Sequence, residues 1–544
     1  MPLQREVLPD FREFNRLRVM QKEEFFKLPL GHSDFMRLRE EKCIYADKTE
    51  ALHRLCSEGG RIFIARPRRF GKSLLTSTFD SLFRYGLRDF QGLAIEKLWK
   101  EKTHDVVHLD FSEVCEVAHA EVFRRQFENL LISSFAAAGL PWEDKKGGAL
   151  EQTASWLSTL KPASLVILID EYDAPLTRCI GNPTLLEDVR RLMRSFFRML
   201  QENDRSLRFF FMTGITGGLA DLLPDLHHLD DITRNSAYGT LIGFTEDEIE
   251  ANFGGYLEKA QSALGMSREG LMESLRGYYG GYSFDDKAAA HVLCPWSVLN
   301  FFKYPERGFR NYWFDSGGRS AVLMKILAHA GPLSFAEARR VPLSESGALR
   351  TMDDIRPEAL LAQAGYLAIR AVAADGSLVL GYPNKEVSTS MGELYAGELL
   401  GGKPLDGPEE SMLSETLRDG TVEAVIERFS RVLKAIDSER FPIRDEAGCC
   451  AVLQVLLIGA AKLPKAEAHH APDGSSLAVE TGTRHWVFEF KYSQTGEDSQ
   501  ELFEEALNRI RSRDCGEAPH EKELIRVVLV FDGSRRQFLR WARL

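Results

Sequence analysis

The stretch RIFIARPRRFGKSLLTSTFDSLF, residues 61–83, constrains the fold of this chain more than any other segment. An apolar run, Arg61–Ala65, leads through an arginine-rich loop into the triplet Gly71–Ser73, and a segment with one apolar face follows. A strand, a glycine turn and a helix in this order bring backbone N–H groups, a lysine and a hydroxyl to a helix N-terminus, where a triphosphate and Mg²⁺ bind. The first glycine of such a loop is replaced here by Arg66, so this motif alone leaves a fortuitous Gly-Lys-Ser as an open alternative.

A second motif, LVILIDEYDAP at residues 165–175, decides between these alternatives. Its apolar run predicts a buried strand that ends in Asp170 and Glu171. A strand of this kind places one carboxylate where it can coordinate Mg²⁺ and the next where it can polarise a water beside the terminal phosphate. Strands that end in solvated acids are common, but this one accompanies a strand, a Gly-Lys-Ser turn and a helix. The two motifs together indicate a P-loop nucleoside triphosphatase.

Four short apolar runs that alternate with helical segments predict a parallel sheet covered by helices. The predicted strands are Arg61–Ala65, Val106–Phe111, Leu165–Asp170 and Arg208–Thr213. The strand between the two motifs and the Asp-Glu pair favour the additional-strand, catalytic-glutamate type of P-loop enzyme over the kinase-like and GTPase types. The segment PNKEV, residues 383–387, resembles a guanine-reading NKxD motif only superficially, because it lies far downstream and has Glu at the deciding position. We therefore expect an α/β core that binds ATP.

ATP and Mg²⁺ are accordingly the expected cofactors. Glu171 and Lys72 are candidate catalytic residues, and Thr213 is a third because a polar residue at the end of the fourth strand can hold the attacking water. A turn threonine without that role is the open alternative. Ser73 and Asp170 are the candidate Mg²⁺ ligands of this domain. The candidate nucleotide-binding residues are Arg66, Arg68, Arg69, Phe70, Gly71, Lys72, Ser73 and Leu74.

Changes of pattern along the chain predict three domains. Residues 1–245 form the expected ATPase domain, residues 246–400 a helical and winged-helix-like region, and residues 401–544 a last domain. The winged-helix-like expectation rests on a helical stretch near 353–364 that is followed by two apolar runs joined by the turn sequence ADGS. A loop rich in Gly and Pro, residues 397–411, marks the second boundary.

Composition limits the classes of partner. The 544 residues carry a formal net charge of −11, which argues against a general polyanion binder, although a local basic patch remains compatible with nucleic-acid contact. The eight cysteines contain no CxxC pair, so a disulfide framework or a zinc knuckle is not indicated and a reducing cytoplasm is expected. The charged first residues and the lack of a long apolar run predict neither an export signal nor a membrane span.

Several separated motifs resemble one known family. The chain is similar to the AAA-ATPase-like family of bacterial proteins that carry a PD-(D/E)XK nuclease-type domain at the C-terminus, and the likeness spans nearly all of it. The resemblance implies that the arginine-rich form of the phosphate loop is the usual one, with Lys72 and Ser73 at the phosphates and Mg²⁺. It also implies a restriction-endonuclease-like α/β fold for the last domain. The motifs are YADKTE (45–50), RPRRFGKSLL (66–75), LIDEYDAPL (168–176), MTGITGGLADLLPDLHHLDDIT (212–233), GFTEDEI (243–249), CPWSVLN (294–300) and PNKEV (383–387).

A PD-(D/E)XK site needs a carboxylate at the end of one strand and Glu-x-Lys on the next. In WVFEFKYS, residues 486–493, Glu489 and Lys491 share one face of a predicted strand and are the candidate metal ligand and catalytic lysine. The family's metal-binding aspartate aligns with Ser476, a poor ligand for a hard cation. Asp473 and Glu467 are the candidate replacement ligands, and Glu446 on the preceding helix is a further candidate, so a degenerate site and an active one are both open.

Two functions follow as expectations. The first is an ATP-hydrolysing protein coupled to nucleic-acid processing, with DNA or RNA as the partner. The second is an ATP-gated switch or scaffold that acts on a protein partner or a second copy of the chain without nuclease activity. Glu171 favours the first, because a pure switch needs no carboxylate that activates water. A membrane is not an expected partner.

Overall fold

A computed structural model of the chain describes most of its length. The described residues are 26–57, 60–114, 119–144, 147–179, 182–216, 229–316, 339–342, 356–405, 412–437, 439, 441–460, 466–467, 476–494, 498–512 and 522–544.

A five-stranded parallel sheet forms the centre of the N-terminal part. Its strands are β1 (Arg61–Ala65), β2 (Asp105–Asp110), β3 (Leu165–Asp170), β4 (Leu207–Gly214) and β5 (Asp230–Asp231). Their order is β2-β3-β4-β1-β5, so β4 is inserted between the strand of the first motif and the strand of the second. The four strands predicted from the sequence are confirmed to within a residue at each end. The inserted β4 defines the additional-strand type of P-loop core.

Helices cover both faces of this sheet. Successive side chains of β1 point to opposite faces of the sheet. Ile64 therefore belongs to the hydrophobic cluster on one face and Phe63 to the cluster on the other. Phe79 packs on the first face, and Phe127 and Phe196 pack on the second. The helices of this part are α1 (Phe35–Glu40), α2 (Thr49–Ser57), α3 (Lys72–Tyr85), α4 (Ala120–Ala137), α5 (Ala149–Thr159), α6 (Ala174–Arg178) and α7 (Pro183–Glu202).

The middle part combines helices with a small antiparallel sheet. A helix followed by the hairpin β7–β8, with β6 as a third strand beside β8, confirms the predicted helix and hairpin of a winged-helix-like unit. The helices are α8 (Glu246–Asn252), α9 (Gly254–Leu264), α10 (Arg268–Tyr279), α11 (Pro295–Lys303), α12 (Tyr312–Asp315), α13 (Pro357–Gln363) and α14 (Lys385–Leu399). The strands are β6 (Arg339–Val341), β7 (Ala368–Val372) and β8 (Leu378–Gly381).

The C-terminal part is a mixed five-stranded sheet with helices on both faces. The strands are β9 (Ala466–Glu467), β10 (Ser476–Glu480), β11 (Arg484–Ser493), β12 (Glu523–Asp532) and β13 (Gln537–Arg543), in the order β13-β12-β11-β10-β9. The β11–β12 pair is parallel and the other pairs are antiparallel. The helices are α15 (Leu413–Asp419), α16 (Val422–Ala435), α17 (Glu446–Val455) and α18 (Ser499–Ser512).

One hydrophobic cluster connects all three parts. It includes Ile64 of β1, Tyr366 before β7 and Phe488 of β11. Helix α14 is the link, because Asn384 at its start bonds to the middle part while Gly392 lies directly against Ile458. The domain boundaries at residues 245 and 400 stay predictions. The second boundary directly follows α14, which contacts both the middle part and the C-terminal part.

Candidate functional site

The phosphate loop turns sharply between β1 and α3. Gly71 is the N-cap of α3 and has a φ of +108°, in the left-handed region that glycine enters without a Cβ penalty. Arg69 also has a positive φ, of +67°. This turn directs the first backbone N–H groups of a helix of 14 residues toward one cavity.

The Lys72 ammonium lies at the centre of the loop. It is buried, donates to the Pro67 carbonyl oxygen at 3.2 Å and is 3.2 Å from Oε1 of Glu171. A buried ammonium requires such partners, because desolvation without them is costly. The two motifs that are far apart in the sequence thus meet at one lysine.

Asp170 ends β3 beside the start of α3. Its side chain is 2% exposed and lies beside the Ser73 hydroxyl. Burial raises the pKa of the Asp170 carboxyl to about 6, and the neighbouring Ser73 hydroxyl and Lys72 charge oppose that rise. A hydroxyl and a carboxylate in contact are oxygen ligands suited to Mg²⁺, so this pair fits the ion that the sequence predicts.

Glu171 occupies an unusual backbone position. Its φ is +50°, which non-glycine residues adopt rarely, and its N–H donates to Oδ1 of Asp170 at 2.9 Å. The side chain lines the cavity and remains partly exposed. Strained backbone of this kind concentrates at functional sites, where neighbouring structure holds it in place.

Thr213 lies on β4 beside Ile64 of β1, and its carbonyl oxygen accepts from the Tyr172 N–H at 3.0 Å. Its hydroxyl is fully buried, makes no hydrogen bond to any described residue and does not line the cavity. The role of Thr213 in holding the attacking water therefore stays a prediction.

Asp173 is a buried carboxylate that sequence reasoning missed. It accepts from the Thr216 N–H at 2.7 Å, from the Thr216 hydroxyl at 2.6 Å and from the Ile215 N–H at 3.2 Å. Burial raises the pKa of Asp173, while the Thr216 hydrogen bonds oppose that rise. These bonds fasten the end of β3 to the end of β4. The third acid in the sequence IDEYD was the available signal.

The loop arginines contact the middle part of the chain. Arg66 is buried, donates to the carbonyl oxygens of Ala65 at 2.9 Å and Thr233 at 2.7 Å, and lies 4.5 Å from the Phe284 ring. Burial lowers the pKa of Arg66 to about 9. Arg66 does not line the cavity, whereas Arg69 does and stacks on Trp296 at 4.5 Å.

A cavity of about 630 Å³ opens beside the loop. Its volume lies in the range that small-molecule ligands occupy. Seven of the eight predicted nucleotide-binding residues line it, together with Glu171. The predicted residues in the lining are Arg68, Arg69, Phe70, Gly71, Lys72, Ser73 and Leu74.

Aromatic residues of the middle part close one wall of this cavity. Trp313 donates its indole N–H to the Arg68 carbonyl oxygen at 3.0 Å, and Trp296 and Tyr366 complete the wall. The Trp313 backbone N–H in turn donates to buried Glu386 at 2.6 Å. The motifs CPWSVLN and PNKEV contain Trp296 and Glu386, but no local pattern connected either motif to the phosphate loop.

In the C-terminal part, β10 and β11 bring Ser476 directly opposite Glu489. Glu489 is 1% exposed and pairs with Arg509 of α18, whose NH1 lies 3.2 Å from Oε1. Lys491 pairs with Glu505 at 3.0 Å and lies 4.0 Å from Glu446. Asp473 lies outside the described residues, so its role as a ligand stays a prediction. The described side chains around Glu489 form ion pairs, and Glu489 belongs to no group of three described His, Cys, Asp or Glu side chains that could hold a metal ion.

Among the described residues, no helix combines the length and apolar character needed to cross a bilayer.

The inserted strand, the Gly-Lys-Ser turn and the Asp-Glu pair define a P-loop core of the additional-strand type, joined to an α/β C-terminal domain. Comparison with known proteins gives the family. Residues 29–219 match the family described as predicted AAA-ATPase, and residues 474–541 match the PD-(D/E)XK nuclease superfamily. A relative from Azotobacter chroococcum mcd 1, described as a protein in the vnfD 5' region, is 30% identical over 376 residues. That alignment covers 68% of this chain and 69% of the relative.

The chain therefore belongs to the AAA-ATPase-like family with a C-terminal PD-(D/E)XK-type domain. Among solved structures, Cdc6p from Pyrobaculum aerophilum matches over 70% of this chain and 97% of that chain, at 12% identity and a TM-score of 0.26.

Proposed function

We propose that this chain binds ATP with Mg²⁺ in the 630 Å³ cavity and hydrolyses it. One observation carries the proposal. The buried Lys72 of the phosphate loop contacts Glu171 of the second motif, and Asp170 contacts Ser73 at the same edge of the sheet. Cation, metal ligands and general base are thereby within reach of one triphosphate.

The residues would act in the following order. Lys72 exchanges the Pro67 carbonyl oxygen and Glu171 for phosphate oxygens, while the N–H groups at the start of α3 bind the same phosphates. Ser73 and Asp170 would hold Mg²⁺, which would neutralise charge on the phosphates when bound. Glu171, no longer paired with Lys72, would accept a proton from the water whose oxygen bonds to the γ-phosphorus, while the bond from that phosphorus to the bridging oxygen breaks and ADP leaves.

We propose further that hydrolysis is coupled to nucleic-acid processing. The support is a domain of the PD-(D/E)XK nuclease superfamily in the same chain as the ATPase. Helix α14 offers a path between them, since it contacts the aromatic wall of the cavity through Glu386 and the C-terminal part through Gly392.

A second candidate is an ATP-gated switch or scaffold that acts through a protein partner. The ion pairs around Glu489 favour it, because they argue against metal-dependent cleavage. Glu171 at the cavity favours turnover. Nucleic acid that stimulates phosphate release supports the first candidate, and nucleotide binding without turnover supports the second.

The test is phosphate release from ATP and Mg²⁺ by the full chain, alone and with single-stranded DNA, double-stranded DNA or RNA, with strand cleavage followed in parallel. Lys72→Ala should abolish ATP binding in calorimetry, because it removes the cation that faces the phosphates. Glu171→Gln should bind ATP and turn over at least about a hundredfold more slowly. Lys100→Ala, at an exposed lysine outside the cavity lining, is the control. Unchanged ATP affinity in Lys72→Ala would refute the assignment of the site.

A further inference from the structure

Helix α18 lies over strand β11 through two ion pairs. Arg509 pairs with Glu489 at 3.2 Å, and Glu505 pairs with Lys491 at 3.0 Å. The helix partners are four residues apart and the strand partners two apart, so each pair stays on one face of its own element. The signs are reversed between the two pairs, and each element therefore supplies one anion and one cation.

The Glu489 carboxylate needs a positive partner because it is 1% exposed. A nuclease of this superfamily would satisfy such a carboxylate with a divalent ion that a second carboxylate also binds. Ser476 stands opposite Glu489 and contributes a neutral hydroxyl instead. The Arg509 guanidinium supplies the positive charge, through a charge-assisted hydrogen bond to the same carboxylate.

Lys491, the other charged residue on this face of β11, also has charged partners. Lys491 lies between Glu505 at 3.0 Å and Glu446 at 4.0 Å, so the lysine that would orient water in a nuclease takes part in an ion-pair network. Val487, on the same face of β11, packs with Ala506 and Ile510 of α18. Apolar contacts on this face therefore hold the helix where the ion pairs form.

We propose that Arg509 is an internal cation that stands in the place of the divalent metal ion, so that the C-terminal domain folds and acts without metal. This inference rests on the part of the proposed function that gives the C-terminal domain a role other than cleavage, and it is independent of ATP hydrolysis. An ATPase assay that fails would refute the proposed function and leave this inference standing.

The first test measures the ion pair. Arg509→Gln should lower the thermal midpoint by several degrees, since it leaves a buried carboxylate without its cation. Glu489→Gln combined with Arg509→Gln should recover most of that loss, because neither buried charge remains. Arg511→Gln, at an exposed arginine of the same helix, is the matched control and should change the midpoint little. A midpoint for Arg509→Gln equal to that of the control would overturn the proposal.

The second test measures metal binding, in an Asp170→Asn background that removes the metal-binding carboxylate of the ATP site. The parent should show no Mn²⁺-dependent rise of the thermal midpoint. Ser476→Asp with Arg509→Gln should show the Mn²⁺-dependent rise of the thermal midpoint that the parent lacks, because two carboxylates then face each other without a competing guanidinium. Adding Glu489→Gln should abolish the gain.

Mn²⁺ binding by the parent that Glu489→Gln or Asp473→Ala removes would show that a metal site already exists. If the doubly substituted protein does not fold even with Mn²⁺, the ion-pair measurement decides alone.

Discussion

Lys72, Asp170 and Glu171 bring one positive and two negative side chains to the edge where β3 meets the phosphate loop. Lys72 and Asp170 are both buried, and the Lys72 charge favours the ionised form of the Asp170 carboxyl. Glu171 combines a contact to Lys72 with a left-handed backbone. At the scale of single residues, the chemistry therefore depends on burial and on charge pairs within a few ångströms.

The Asp170 carboxyl should make Mg²⁺-dependent ATP binding sensitive to pH. Its pKa in the folded chain is about 6, so a proton occupies the carboxyl below that pH and competes with the cation. We expect the Mg²⁺-dependent part of the ATP affinity to fall by up to about tenfold per pH unit below pH 6. Calorimetry between pH 5 and 8, with and without Mg²⁺, measures this Mg²⁺-dependent part of the ATP affinity. Protonation of the nucleotide itself affects both series, so the difference between them reports the Mg²⁺ contribution. A Mg²⁺ contribution that does not change with pH would remove Asp170 from the metal site.

Glu386 should make the free energy of unfolding fall as the pH rises, because its pKa is raised in the folded chain. Burial raises its pKa in the folded chain to about 8, above the ordinary value of 4.5. Folding therefore favours the protonated form, so the stabilisation is complete below pH 4.5 and is lost as the pH rises through 8. Glu386→Gln should remove this dependence, because the amide stays neutral and keeps a partner for both Ser297 and the Trp313 N–H. Urea unfolding at pH 6 and pH 9 measures it, and Glu269→Gln, on an exposed helix face, is the control. Equal pH dependence in wild type and Glu386→Gln would contradict the argument.

At the scale of elements, caps and turns decide where helices begin. Thr245 and Glu248 form a capping box at α8, and Asn384 caps α14 by accepting from the Val387 N–H. Asn384 also donates to the Gly280 carbonyl oxygen at 2.8 Å, at the end of α10. One side chain therefore starts a helix and fastens it to another.

Asn384→Ala should lower the free energy of unfolding by about 1–3 kcal/mol, from the lost cap and the unsatisfied Gly280 carbonyl. Asn384→Ser retains an acceptor for the helix N–H but does not reach Gly280 as an amide does, so an intermediate loss is expected. Urea unfolding of the three proteins measures both parts. An alanine variant as stable as the wild type would show that water replaces both hydrogen bonds.

At the scale of the whole molecule, the middle part forms one wall of the cavity beside the phosphate loop. Trp313 bonds the Arg68 carbonyl oxygen, and Gly365 lies against Pro67 so closely that a Cβ there would be 2.7 Å from the Pro67 ring. Gly365 also has a φ of +91°. The phosphate loop is therefore held between its own strand and the winged-helix-like unit.

Gly365→Ala should displace the loop, lower the free energy of unfolding by about 1–3 kcal/mol and weaken ATP binding several-fold. Gly376→Ala is the matched control, because Gly376 also has a positive φ, +79°, but no atom lies within 4 Å of its Cβ position. The control should lose stability through backbone strain and keep its ATP affinity. Equal ATP affinities in the two variants would show that the contact with Pro67 does not position the loop.

Much of this molecule follows from local sequence. Apolar runs such as Leu165–Asp170 predicted the strands, and Gly71 with Lys72 predicted a turn at a helix N-terminus. Glu489 and Lys491 were placed on one face of a strand by the two-residue period alone, and the structure has them on the face that α18 covers. These predictions hold because strand period, turn geometry and helix N-termini depend on neighbours in the chain.

Tertiary structure alone decided which groups those side chains meet. Arg66 turns to the Thr233 carbonyl oxygen and the Phe284 ring, Glu386 lies under Trp313, and Arg509 reaches Glu489. Each partner is distant in sequence and is brought near by the burial of apolar surface over many residues. Periodicity specifies the face of an element on which a side chain lies, but the free energy of a buried charge depends on the particular group that lies opposite it.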